Sequence, residues 1–276
     1  MRVRAPDGEK RRLALAVCRA AIVATGLGGG CGGPRIHVAP NDPEYEYRLG
    51  AAELQRRHWV AAEEHLKRFV DLHPGHARAD SAQYGLGMAK LGARLYPEAA
   101  VEFQILGQEY PRSALRDDAA FQECVSYSKQ LRSSQLDPTP AYRAKTCFQD
   151  YLLRFPGAPD SAAAVAKLAV IADYLAEKDF QLGSMFVRMK RPRVGRVYLT
   201  GLVQSYPGAA RVPEALVYLG RAAEQDWQFS DAAAFYRRVL TEYPNSHSAP
   251  EASRRLAGLI ERHPDLVPAP RDSSAP

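Results

Sequence analysis

Five prolines limit what this chain can fold into. Pro74, Pro111, Pro156, Pro207 and Pro244 each follow an apolar or aromatic run, in FVDLHPGH, LGQEYPRS, YLLRFPGA, LVQSYPGA and VLTEYPNS. Proline lacks the backbone donor that continues a helix, so each one closes a helix and turns the chain. Twelve residues before each proline stands a small residue: Ala62, Ala99, Ala144, Gly195 and Ala232. Eight residues before stands a large one: Leu66, Phe103, Phe148, Leu199 and Tyr236. Three copies add an upstream Leu-Gly pair, at Leu49-Gly50, Leu86-Gly87 and Leu219-Gly220. A small residue one helical turn from a large one lets a neighbouring helix approach, and the large one fills the adjoining hole.

This register predicts an all-α chain: a right-handed superhelical solenoid of about five tetratricopeptide-like helix pairs with a C-terminal capping helix. The first and last intervals between prolines are 37 residues, while the two middle ones are 45 and 51. The excess is assigned to a longer connection over 133–140 and to a long helix from about Asp160 to Met185. A capping helix is expected over 249–262. The expected division is a signal peptide at 1–30, a flexible tether at 31–43, the solenoid at 44–263 and a Pro- and Ser-rich disordered tail at 264–276.

The formal charge of +6 is unevenly placed. Six of the 37 basic residues and two of the 31 acidic ones precede Cys31, so the remainder carries a net of only +2. A nearly neutral body gives no argument for nucleic acid. The leader itself reads as an export signal. A basic segment through Arg12 precedes the apolar run LALAVCRAAIVATGL and then Gly28-Gly29-Gly30-Cys31. Interrupted by Arg19, that run is too short and too polar to span a bilayer. It resembles a bacterial lipoprotein signal in which Cys31 is lipidated, for example with palmitate, although Leu27 sits four residues before the cysteine rather than three. Arg11-Arg12 also permits a twin-arginine reading, and Cys18 leaves with the signal.

Over residues 41–262 the chain resembles the YfiO family of tetratricopeptide lipoproteins of the outer-membrane β-barrel assembly machinery. The stretches that carry the resemblance are DPTPAYRAKTCFQDYLLRFPGAPDS at 137–161 and LAEKDFQLGSMFVRMKRPRVGRVYLTGLVQSYP at 175–207. The resemblance implies a non-enzymatic scaffold, lipid-anchored at the periplasmic face of the outer membrane. Its amino-terminal half would receive unfolded outer-membrane proteins and its carboxy-terminal half would dock a POTRA-bearing insertase. The alternative is another periplasmic tetratricopeptide scaffold, of the Tol-Pal or pilus-assembly type.

The residues offer three candidate sites. Tyr47, Tyr84 and Phe121, with Arg48 and Arg78 at the rim, are candidates for a peptide-binding groove; otherwise the aromatics fill interhelix holes. Arg188, Lys190, Arg191, Arg193 and Arg196 place five cations in nine residues. They read as a partner-docking site for an acidic surface, a solvated turn, or a contact with anionic lipid. Cys124 and Cys147 lie nearly equidistant from the third-repeat turn, and either bridge or stand as two buried thiols. No HExxH, G-x-S-x-G or P-loop motif is present. His73-Pro-Gly-His76 has no carboxylate or cysteine at useful spacing, so neither metal nor cofactor is expected.

Overall fold

A computed structural model describes residue 42 and residues 44–132 and 137–266. Among these, regular structure is helical throughout. The α-helices are α1 (Tyr45–Gln55), α2 (Trp59–Leu72), α3 (Ala79–Gly92), α4 (Tyr96–Glu109), α5 (Arg116–Lys129), α6 (Thr139–Arg154), α7 (Ser161–Arg188), α8 (Pro192–Ser205), α9 (Val212–Gln225), α10 (Phe229–Glu242) and α11 (Ala249–Arg262). The chain divides into two compact units, one ending at Ser126 and the other beginning at Tyr127. The boundary between the units lies inside α5.

Two kinds of turn generate the repeat. The first joins the helices of a pair in three residues: 56–58, 93–95, 189–191 and 226–228. The middle residue of each lies in the left-handed region, with φ of 62° at Arg57, 66° at Arg94, 59° at Lys190 and 61° at Trp227. The third residue's amide reaches back five residues to a helix carbonyl, from His58 to Glu53, Leu95 to Lys90, Arg191 to Phe186 and Gln228 to Ala223, each at 2.9 Å. These bonds satisfy carbonyls that the helix end would otherwise orphan. Glycine usually fills the left-handed position, and a side chain there costs about 1–2 kcal/mol. None of the four is glycine.

The second kind of turn joins consecutive pairs and carries the prolines. It is six residues long in all five copies, at 73–78, 110–115, 155–160, 206–211 and 243–248. Each helix ends two residues before its proline, because the ring disfavours helical geometry at the residue in between. The amide two positions after each proline then returns to the carbonyl before it, as from His76 to His73 at 3.0 Å and Ala209 to Tyr206 at 2.9 Å. Two fourteen-residue helices with one turn of each kind give the 37-residue period. In the 51-residue interval the excess lies within α7, which is 28 residues long and ends at Arg188 rather than Met185.

Small-against-large seating builds both cores. All five residues eight before a proline are essentially fully buried, as are all five small residues four positions ahead of them. In four of the five pairs a glycine on the first helix faces that large residue. A methyl group added at Gly50 would lie 2.6 Å from Leu66, and one at Gly87 would lie 2.6 Å from Phe103. Gly183 stands to Leu199 at the same 2.6 Å, and Gly220 presses on Tyr236 in the same way. The glycine seat thus has four copies, not three: Leu182-Gly183 belongs to the series. In the first unit the core joins Tyr47, Leu66 and Phe69 to Leu86, with a second cluster around Phe103 and Leu106. In the second unit it includes Phe148, Ile171, Leu175, Leu199, Leu216 and Tyr236.

The capping helix occupies its expected span. Glu224 ties it down: Oε1 accepts from the Tyr236 hydroxyl at 2.5 Å, and Arg255 and Arg262 of α11 approach the same carboxylate at 3.4 and 3.6 Å. Ordered structure also runs past the expected boundary at 263. Pro264–Leu266 form a 3-10 turn whose last carbonyl accepts a hydrogen bond from Arg237 of α10. Helix α10 thus holds the first three residues of the segment expected to be disordered.

Candidate functional site

In the first unit the structure gathers Tyr47, Arg48 and Arg78 around Glu44 at the start of α1. The Arg78 Nε donates to Glu44 at 2.9 Å while its guanidinium lies 5.3 Å from the Tyr47 ring centre. Arg48 pairs with the same carboxylate at 3.3 Å and with Asp42 at 3.4 Å. Burial pushes the Glu44 carboxyl up, but the hydrogen bonds and charge of Arg78, then Arg48, outweigh it and hold it below the usual range. Tyr47 itself is only 8% exposed and packs 5.6 Å from Phe69.

Arg78 stands four residues after Pro74, and the second unit repeats its arrangement four residues after Pro207. There Arg211 lies 4.9 Å over the Phe180 ring and its Nε donates to Glu177 at 2.5 Å. A guanidinium clasped between an aromatic and a glutamate is therefore a joint between consecutive helix pairs. Tyr47 is thus covered by the following pair, which is the second of the two readings that the sequence offers for it. Phe121 is also 8% exposed, and half-buried Tyr84 sits 5.6 Å from Phe103, away from the Glu44 cluster. Tyr84 packs against the second helix of its own pair, while Arg48 keeps an exposed rim position.

His73 and His76 flank Phe69, with ring centres 5.5 and 5.3 Å away. Among the described residues no three His, Cys, Asp or Glu side chains converge in a way that could hold a metal. No helix among them is long and apolar enough to cross a membrane. Cys124 is buried in the first unit and Cys147 is half-buried in the second. Cys31 lies outside the described residues.

The basic run forms an edge of the second unit where two within-pair turns meet. Arg188, Lys190, Arg191 and Arg193 are exposed. Arg188 reaches the Tyr218 hydroxyl at 3.5 Å, and Arg193 approaches Asp226 at 3.9 Å while staying 92% exposed. Arg196 is committed inward: it lies 4.0 Å from Asp226 and 3.7 Å from Asp231, and donates to Gln228. Five cations against two carboxylates leave the edge positive. Beside it projects Trp227, 80% exposed, a residue outside the three sites that the sequence offers. Its offset of seventeen residues before Pro244 matches those of Arg57, Arg94 and Lys190 and is visible in the sequence.

Residues 40–226 match the YfiO family, described as an outer membrane lipoprotein, and residues 214–246 match a tetratricopeptide repeat. The chain is 22% identical over 211 residues to the outer membrane protein assembly factor BamD of Caulobacter vibrioides, covering 75% of this chain and 69% of that protein. It is also 22% identical over 201 residues to BamD of Rickettsia prowazekii, covering 72% and 80%. A crystal structure of a TPR repeats protein from Bacteroides fragilis aligns with a TM-score of 0.47 at 14% identity, over 79% of this chain and 99% of that one.

Proposed function

Because the chain belongs to the YfiO family of outer-membrane lipoproteins, we propose that it is a non-enzymatic scaffold of the outer-membrane β-barrel assembly machinery. It receives unfolded outer-membrane protein segments on its first unit and docks a POTRA-bearing insertase on its second. A lipid on Cys31 holds it at the periplasmic face of the outer membrane. The family match, which runs through residues of both units and through the irregular middle spacing, carries this reading. Two relatives named as assembly factors support its assignment to barrel assembly.

The docking half rests on charge. A positive edge on a nearly neutral body speeds encounter with an acidic surface and fixes its orientation. The receiving half rests on the rim of the first unit, where exposed Arg48 borders the Tyr47–Arg78 joint.

Affinity purification of the membrane-extracted protein, followed by identification of co-eluting chains, tests the whole. The insertase and immature barrel proteins are expected, and neither appearing would refute the assignment. Reversing Arg191 and Arg193 to Glu should reduce insertase recovery several-fold; unchanged recovery would retire the basic edge as the docking site. Metabolic labelling with a palmitate analogue should mark the parent and spare Cys31→Ser, while an unlabelled parent would remove the anchor.

A further inference from the structure

The four left-handed turn positions raise a question that folding alone does not answer. Each would be filled most easily by glycine, yet the chain places three cations and an indole there: Arg57, Arg94, Lys190 and Trp227. Trp227 is the least expected of them. A bulky residue at positive φ is a conformational outlier, and such strain persists where the surrounding structure enforces it, most often at functional positions. Its ring meets the Phe229 edge at 5.9 Å, and Phe229 is in turn stacked on His263 at 4.0 Å. The base of the turn is thus supported from below, while Trp227 as a residue is 80% exposed and lies outside the core.

The surroundings give this indole a chemical context. Arg193 and Arg196 both approach Asp226, the residue before it, so the basic turn of the preceding pair lies against the Trp227 turn within one unit. Lys190, Arg191 and Arg193 stand exposed, with Met189 and Val194 among them. Tryptophan and arginine dominate the energetic centres of protein interfaces, where a large ring fills a pocket and charged neighbours form the rim.

We infer that Trp227 is the apolar anchor of a docking edge, rimmed by Lys190, Arg191 and Arg193, that takes an acidic protein surface with a pocket for one indole. The inference rests on the docking reading above and adds the residue that carries its affinity. The excess positive charge demands an acidic partner. The apolar groups are Met189 and Trp227 on two tight turns and Val194 in the first turn of α8, and they form no continuous apolar helix face of the kind that an amphipathic surface helix lays into a bilayer.

The test uses the full-length protein, with purified POTRA domains of the same organism's insertase as the probe. Calorimetry should show Trp227→Gly binding them roughly tenfold to a hundredfold more weakly. The same variant should melt a few degrees higher, because glycine relieves the left-handed turn. In a Trp59→Phe background Trp227 is the sole tryptophan, and its emission should shift to the blue on adding the POTRA domains. It should stay unchanged with vesicles of phosphatidylethanolamine and phosphatidylglycerol.

Parent-like affinity of Trp227→Gly overturns the anchor while leaving basic-edge docking in place. A marked fall in its melting temperature shows the indole to be structural and also overturns it. A blue shift on vesicles but not on POTRA domains overturns it in favour of a lipid contact. Failure of the parent to bind the POTRA domains overturns this inference together with the docking reading beneath it.

Discussion

At Gly220 a single methyl group decides whether two helices can close. The position faces the fully buried ring of Tyr236, whose hydroxyl is engaged by Glu224, so the ring cannot swing aside without breaking that bond. Gly220→Ala should cost about 1–3 kcal/mol through overpacking, measured by chemical denaturation. Gly201 lies inside α8, and a methyl group added there would meet nothing within 4 Å. Gly201→Ala should instead gain about 0.5–1 kcal/mol by lowering backbone entropy in the unfolded chain. Two identical changes of opposite sign would establish that close approach, and not helix propensity, fixes the seat. The ladder of seats is legible because small and large residues recur at fixed offsets from proline. Leu182-Gly183 stands at the same offset from Pro207 and was equally legible. Trp227 is obscured, because periodicity tells which residues face a neighbour, not which exposed residue is strained.

At the scale of the element, α1 is held to α2 by charge as well as by packing. Glu46 of α1 accepts from Arg68 at 2.9 Å and lies 2.7 Å from the Nδ1 of His65. Burial raises its carboxyl, but the hydrogen bonds of His65 and Arg68 more than compensate, and it titrates below its ordinary 4.5. Glu44 is lowered in the same way by Arg78 and Arg48. A carboxyl depressed on folding stabilises the native state above its unfolded pKa, and that contribution disappears as pH falls through the lower folded value. Acid should therefore loosen α1, with protection of its amides against hydrogen exchange falling below about pH 4.5 before the rest of the first unit responds. Uniform loss across that unit would contradict a local clasp. The sequence displayed both partners of this clasp, but the pairing of Glu44 with Arg78, 34 residues apart, depends on how the second pair settles on the first.

For the molecule as a whole, the repeat arithmetic was the most legible feature and the surface the least. Five prolines at a common register fix eleven helices and their turns among the described residues, because backbone chemistry stops each helix wherever a proline falls. The sequence leaves Tyr47 between a groove and an interhelix hole, because its burial depends on the following pair, whose Arg78 lies over the ring. The division at Ser126 likewise has no mark in the proline ladder. The docking edge was half legible: the five cations form one contiguous run, but their two neutralising carboxylates and the indole arrive from the next pair.

The long helix α7 shows how such a scaffold can change its reach. Only Ala164 and Ile171 of its first twelve residues are buried, while its later turns seat Gly183 against Leu199. Fourteen extra residues at 3.6 per turn are almost four whole turns, so angular phase is nearly conserved along the rod. Lengthening in near-integral turns lets such a helix grow while each side chain keeps its compass bearing. A gain of about two residues would rotate everything upstream by more than half a revolution.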